Sequence, residues 1–138
     1  MIRILLVEDF EPYRSFVTLL LADNIHFQVI CEAADGLEAL EKAKQLSPDL
    51  ILMDIGLPKL NGLEAARRIR ELLPTSKIVF LTEEADADVM REAFNLGATG
   101  YIFKQRTRSD LLPTLAAIVQ GKRFVSVGLA GESAPANG

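Results

Sequence analysis

Histidine and cysteine are nearly missing from this chain, which has one of each, His26 and Cys31. His26 has no metal-spaced partner, so it offers nothing to zinc and argues against a triad built on a placed histidine. Cys31 stands alone in an apolar stretch, where a reduced, buried and inert thiol is expected. Long apolar runs are missing as well, none approaching the ~18 residues that a membrane span needs. No basic region or cleavage site separates Met1 from the first apolar run, IRILLV, so a cytoplasmic address is expected. Positive charge is in deficit: 15 Lys and Arg face 19 Asp and Glu, and the net charge of -4 argues against nonspecific nucleic-acid binding by this domain. What is present is core material. With 49% apolar and 25% charged residues in 138, the chain has the make-up of one soluble globular domain.

Strand and helix patterns alternate five times along the chain. Ile2 to Val7, Phe27 to Ala33, Leu50 to Met53, Lys77 to Leu81 and Thr99 to Phe103 are short apolar runs, as expected of strands covered on both faces. Between them lie helical periods with terminal signals. Pro12 suits a first turn, and Phe16, Leu19 and Leu20 recur at helical spacing. Asp35 with Glu38, and Asn61 with Glu64, resemble capping boxes. Asp86 to Leu96 ends at Gly97, a left-handed cap. A last helix is expected to be capped by Ser109, with Pro113 in its first turn and Gly121 closing it. Phe124 and Val125 are expected to pack back onto the body. From Gly128 the composition turns to Gly, Ala, Ser, Pro and Asn, so the expected division is a folded domain over 1–125 and a flexible tail or linker over 126–138.

Such alternation implies an α/β fold, a doubly wound five-stranded parallel sheet of order 2-1-3-4-5, flavodoxin-like, with strands one and three adjacent. Parallel strands share a carboxyl edge, and four of these strands end there in reactive groups: Glu8 and Asp9, Asp54, Thr82 and Lys104. Three carboxylates meeting there repel by roughly 4 kcal/mol per pair at ~4 Å and an effective dielectric of ~20, so they need a cation or protons. Magnesium, small and hard, suits such oxygen ligands, and with the hydroxyl and the ammonium the edge becomes a site for a transferred phosphoryl group.

At this point the chain resembles the receiver domains of two-component response regulators. The resemblance covers Met1 to Val125. It rests on Glu8-Asp9, on Asp54-Ile55-Gly56-Leu57-Pro58-Lys59-Leu60-Asn61-Gly62 with its D-x3-P-x3-G spacing, on Thr82, and on Tyr101 three residues before Lys104. The last helix followed by GKRFVSVGL looks like receivers joined to a LuxR-type helix-turn-helix output. The resemblance implies that Asp9, Asp54 and the Gly56 carbonyl bind Mg2+, with Glu8 acting through water. It implies that Asp54 accepts a phosphoryl group from a sensor histidine kinase or a phosphotransfer protein while Lys104 neutralises charge. It also implies that Thr82 moves to bond the phosphoryl oxygen and that Tyr101 follows inward, which makes a switch rather than an enzyme in the usual sense. The implied output is control of transcription. Further partners it allows are a second copy of the chain and, through an output domain outside these residues, DNA.

The chain departs from the family pattern in two places. Gln105 follows Lys104 where receivers commonly have proline, often cis. A cis bond without proline costs about 3 kcal/mol, so a trans or a strained loop is expected. Glu83 and Glu84 follow Thr82 in place of a small residue, and their charge is expected to slow anionic donors or alter the lifetime of the phosphoryl group. These departures leave a non-phosphorylated, receiver-shaped interaction module as the alternative. Two other classes fit less well. A haloacid-dehalogenase-like phosphatase needs a second Asp where Gly56 stands, and Glu8, Asp9 and Glu11 would repel the phosphate of a bound flavin nucleotide.

Overall fold

The computed structural model describes residues 1–83 and 86–125. Strands β1 (Ile2–Val7), β2 (Phe27–Ala33), β3 (Leu50–Asp54), β4 (Lys77–Thr82) and β5 (Gly100–Phe103) alternate with helices α1 (Glu11–Leu21), α2 (Gly36–Leu46), α3 (Gly62–Leu72), α4 (Ala87–Asn95) and α5 (Thr107–Val119). The strands are parallel, and β1 lies between β2 and β3. Successive side chains of a strand point to opposite faces, which explains why these strands are apolar throughout. Leu5 and Val7 of β1 join a core under α2, α3 and α4 with Ala39, Ala66, Ile69 and Phe94. Ile4 and Leu6 face the other way, onto Val17 and Leu21 of α1 and Leu111, Leu115 and Ile118 of α5.

The sheet has six strands, not the expected five. Phe124–Val125 forms β6, pairing in parallel with β5 through Gly100↔Phe124 and Tyr101↔Val125, so the order is 2-1-3-4-5-6. Two residues are too few for any periodicity to mark a strand. What places them is the end of α5, where Lys122 N–H bonds the Ala117 carbonyl and Gly121 N–H the Ile118 carbonyl, with Gly121 at φ 82°. This Schellman turn sends the chain back along the sheet edge. Gly97, at φ 102°, ends α4 with the same bonding pattern, as its position predicts.

The start of α5 also differs. The helix begins at Thr107, directly after a 3-10 turn over Lys104–Arg106. Ser109 is therefore inside it and donates to the Arg106 carbonyl instead of capping, and Pro113 is an interior residue. The other caps are as expected. Asp35 accepts from Glu38 N–H at 2.8 Å and Asn61 from Glu64 N–H at 2.9 Å. Cys31 is half-buried rather than buried, because β2 is an edge strand. Residues 126–138, the expected tail, and Glu84 lie outside the described residues.

Candidate functional site

At the carboxyl edge of the sheet, the β1–β3 pairing sets Val7 beside Met53, so the next residues of both strands emerge side by side. Glu8, Asp9 and Asp54 offer carboxylate oxygens that all lie within 4.8 Å of one another. They line a cleft of about 450 Å³ with Phe10, Ile55, Gly56, Thr82, Glu83, Val89 and Lys104. Its floor is buried and its rim open: Glu8 is 0% exposed and Asp54 8%, whereas Asp9 and Glu83 are exposed. All four strand ends named by the sequence thus meet in one place.

Lys104 crosses the cleft floor. Its Nζ lies 2.6 Å from Glu8 Oε1 and 3.4 Å from Asp54 Oδ1. The other Glu8 oxygen accepts from Phe10 N–H at 2.9 Å. Burial raises the Glu8 carboxyl above its usual range, against the opposing pull of Lys104. Asp54 is raised for the same reason, again with Lys104 opposing. For Lys104 burial is the largest single influence and acts downward, but Glu8 and Asp54 together outweigh it and the ammonium is raised. One ammonium thus serves two buried carboxylates, and Asp9 at the rim adds a third acid.

That charge balance accommodates a divalent cation. Hard oxygen donors from three side chains, close together and open to water on one side, match an ion that keeps several waters.

The loop that carries Gly56 is held by backbone contacts. Gly62 N–H bonds the Ile55 carbonyl at 2.8 Å, and Gly36 N–H the Pro58 carbonyl at 3.3 Å. Lys59 takes a left-handed φ of 67° within it. The last glycine of the D-x3-P-x3-G spacing therefore has a mechanical reason: Gly62 packs on the Asp54 main chain.

Two site neighbours carry no signal in the sequence. Tyr13 of α1 places its hydroxyl 2.6 Å from Thr107 Oγ1, and its ring centre is 4.8 Å from Lys104 Nζ. Burial, helped by the charges of Glu8 and Asp54, raises the Tyr13 phenol, which stays protonated. Tyr101 lies outside the cleft. It is fully buried, edge-on to Phe103 and tilted against Phe94 of α4. The Lys104–Gln105 bond is trans, as are all peptide bonds of the described residues, and Lys104 reaches the acids without a cis turn.

The sequence profile of the response regulator receiver domain matches residues 4–116. Among relatives, the chain is 34% identical over 134 residues to response regulator GacA of Pseudomonas viridiflava, covering 97% of this chain and 63% of that protein. It is 36% identical over 121 residues to transcriptional regulatory protein LnrK of Bacillus subtilis, covering 88% and 55%. The chain thus spans between half and two thirds of the length of these relatives. A crystal structure of a LuxR-family two-component response regulator from Aurantimonas sp. SI85-9A1 superposes with a TM-score of 0.88 at 32% identity, covering 94% of this chain and 93% of that one. The receiver domain of a NarL response regulator from Mycobacterium tuberculosis superposes with a TM-score of 0.81 at 27% identity, covering 88% and 98%.

Proposed function

Because this chain belongs to the response regulator receiver family, we propose that it is a phosphorylation-controlled switch whose phosphoryl acceptor is Asp54. The donor is a histidine kinase or a phosphotransfer protein that presents a phosphohistidine. The observation that carries this reading is the joint reach of Lys104 to Glu8 and Asp54 beside a third carboxylate. Asp9, Asp54 and the Gly56 carbonyl would hold Mg2+, with Glu8 acting through water. When bound, the ion supplies positive charge against the phosphoryl oxygens.

The rest belongs to the chain. An Asp54 carboxylate oxygen attacks phosphorus in line and forms the new P–O bond. The P–N bond of the donor breaks, and its electron pair stays on the imidazole nitrogen, which takes up a proton. Lys104 neutralises an equatorial oxygen as negative charge spreads. Lysine is a compact, mobile cation, so it can leave Glu8 for the phosphoryl group without a backbone change. Thr82, 5% exposed on the cleft wall at the end of β4, donates a hydrogen bond from its hydroxyl to a phosphoryl oxygen on Asp54. Thr82 and Tyr101 lie on the adjacent strands β4 and β5, two positions apart in register, and their coupled shift biases the α4-β5-α5 face between two pre-existing forms.

Output is read outside these residues. The relatives named as transcriptional regulators support transcription as the end point, through a DNA-binding domain and with a second copy of the chain as a further partner. A cytoplasmic setting agrees with the absence, among the described residues, of any helix long and apolar enough to cross a membrane.

Incubation with acetyl phosphate and Mg2+, followed by intact and peptide mass spectrometry, tests the reading. One phosphoryl group should appear on the peptide containing Asp54, and it should vanish with chelator and in Asp54→Asn. No uptake by the parent protein would leave a receiver-shaped interaction module instead.

A further inference from the structure

Gln105 deprives this chain of the proline that would stiffen the turn after Lys104, and the turn is trans. A lysine with four rotatable side-chain bonds on such a turn should wander, since holding it costs roughly 2 kcal/mol of rotamer entropy. Yet its ammonium sits between two carboxylates. The restraint is visible at both ends of the residue.

At the main-chain end, Thr107 Oγ1 donates to the Lys104 carbonyl at 2.8 Å. Thr107 is 1% exposed and its hydroxyl has one proton, already given to that carbonyl. The 2.6 Å contact with Tyr13 is therefore a bond that the Tyr13 hydroxyl donates. At the side-chain end, the same Tyr13 ring lies 4.8 Å from Lys104 Nζ, within cation–π range. Tyr13 is itself fixed, because α1 is anchored in the core one turn further on by Val17 and again by Leu21. A phenylalanine would fill the same space but could not hold the Thr107–Lys104 chain.

We infer that Tyr13, acting with Thr107, is a positioning residue that holds the Lys104 ammonium towards Asp54 and so sets the rate of phosphoryl transfer. This rests on Asp54 being the acceptor. The hydroxyl chain holds the turn and the ring holds the ammonium, so losing each has a separate cost.

The experiment compares phosphorylation by acetyl phosphate and Mg2+ in Tyr13→Phe, Tyr13→Leu and Thr107→Val, each alone and in a Lys104→Met background, with Thr107→Ser as the conservative control. Tyr13→Phe and Thr107→Val should slow transfer about threefold, the worth of one hydrogen bond. Tyr13→Leu should slow it about tenfold, and Thr107→Ser should keep the parent rate. In the Lys104→Met background none should slow it further. Loss of structure would instead lower the rate equally in both backgrounds, and equal or additive effects overturn the inference. A readout independent of transfer is 15N relaxation of the Lys104 ammonium, which should be rigid in the parent and mobile in Tyr13→Leu. If the parent takes up no phosphoryl group, the acceptor reading fails by itself and this relaxation decides the positioning role; an unchanged ammonium overturns it.

Discussion

Replacing Lys104 with methionine is expected to slow phosphoryl transfer to Asp54 by about 10²–10³-fold and to tighten Mg2+ binding about tenfold. The first effect is the loss of a preplaced charge aimed at the reacting group, which typically costs that much in rate. The second follows from competition. Lys104 Nζ is 2.6 Å from Glu8 and 3.4 Å from Asp54, so ammonium and dication draw on the same carboxylates. At ~4 Å and an effective dielectric of ~20, repulsion between two unit charges is worth about 4 kcal/mol before screening and about twice that against a dication, enough to cover a tenfold change. Methionine keeps the length and apolar packing of the stem. Transfer kinetics and a magnesium titration on the same sample check the pair of effects. Opposite signs support the two roles, while unchanged transfer would remove Lys104 from the chemistry.

The Gly62→Ala variant should lose about 3 kcal/mol of stability or more, read as a fall in Tm of roughly 10 °C. A Cβ at Gly62 would lie 2.2 Å from the Asp54 carbonyl oxygen and 2.9 Å from the Ile55 Cα. Both are backbone atoms, so no side-chain rotation can relieve the clash, and the strand end bearing the acceptor has to move. Transfer should fall with stability for that reason. Gly56→Ala is the internal contrast, since its Cβ meets nothing within 4 Å. A Gly62→Ala protein as stable as the parent would show that the Asp54–Gly62 approach is not a real constraint.

How much of this was legible in the sequence varies with the range of the signal. Apolar runs of four to seven residues and caps such as Asp35 and Gly97 are local, and the elements they mark are present. The convergence of Glu8, Asp9, Asp54, Thr82 and Lys104 was legible too, because parallel pairing fixes which ends share an edge. Three things were not. Two-residue β6 has no period, and only the Schellman turn at Gly121 delivers it to the edge of β5. The start of α5 was read from Ser109, a good capping residue, but the 3-10 turn at Lys104–Arg106 had already begun the helical path. The Tyr13–Thr107 bond joins residues 94 positions apart and has no local pattern at all. Gln105 was expected to leave a trans or a strained loop; the bond is trans, and Thr107 bonds the Lys104 carbonyl in the turn from which the lysine reaches Glu8.

The claim beneath all of this is that oxygens from two separate strand ends form one Mg2+ site on which Asp54 depends. An NMR titration with MgCl2 tests it most directly. The amides of Glu8, Asp9, Asp54 and Gly56 should shift together along one saturating curve, and Asp9→Asn should weaken that curve at least about tenfold. Affinity should also fall as pH is lowered, since burial raises the Glu8 and Asp54 carboxyls and lets protons compete sooner with the metal. Shifts scattered over the surface, or a curve indifferent to Asp9→Asn, would contradict it.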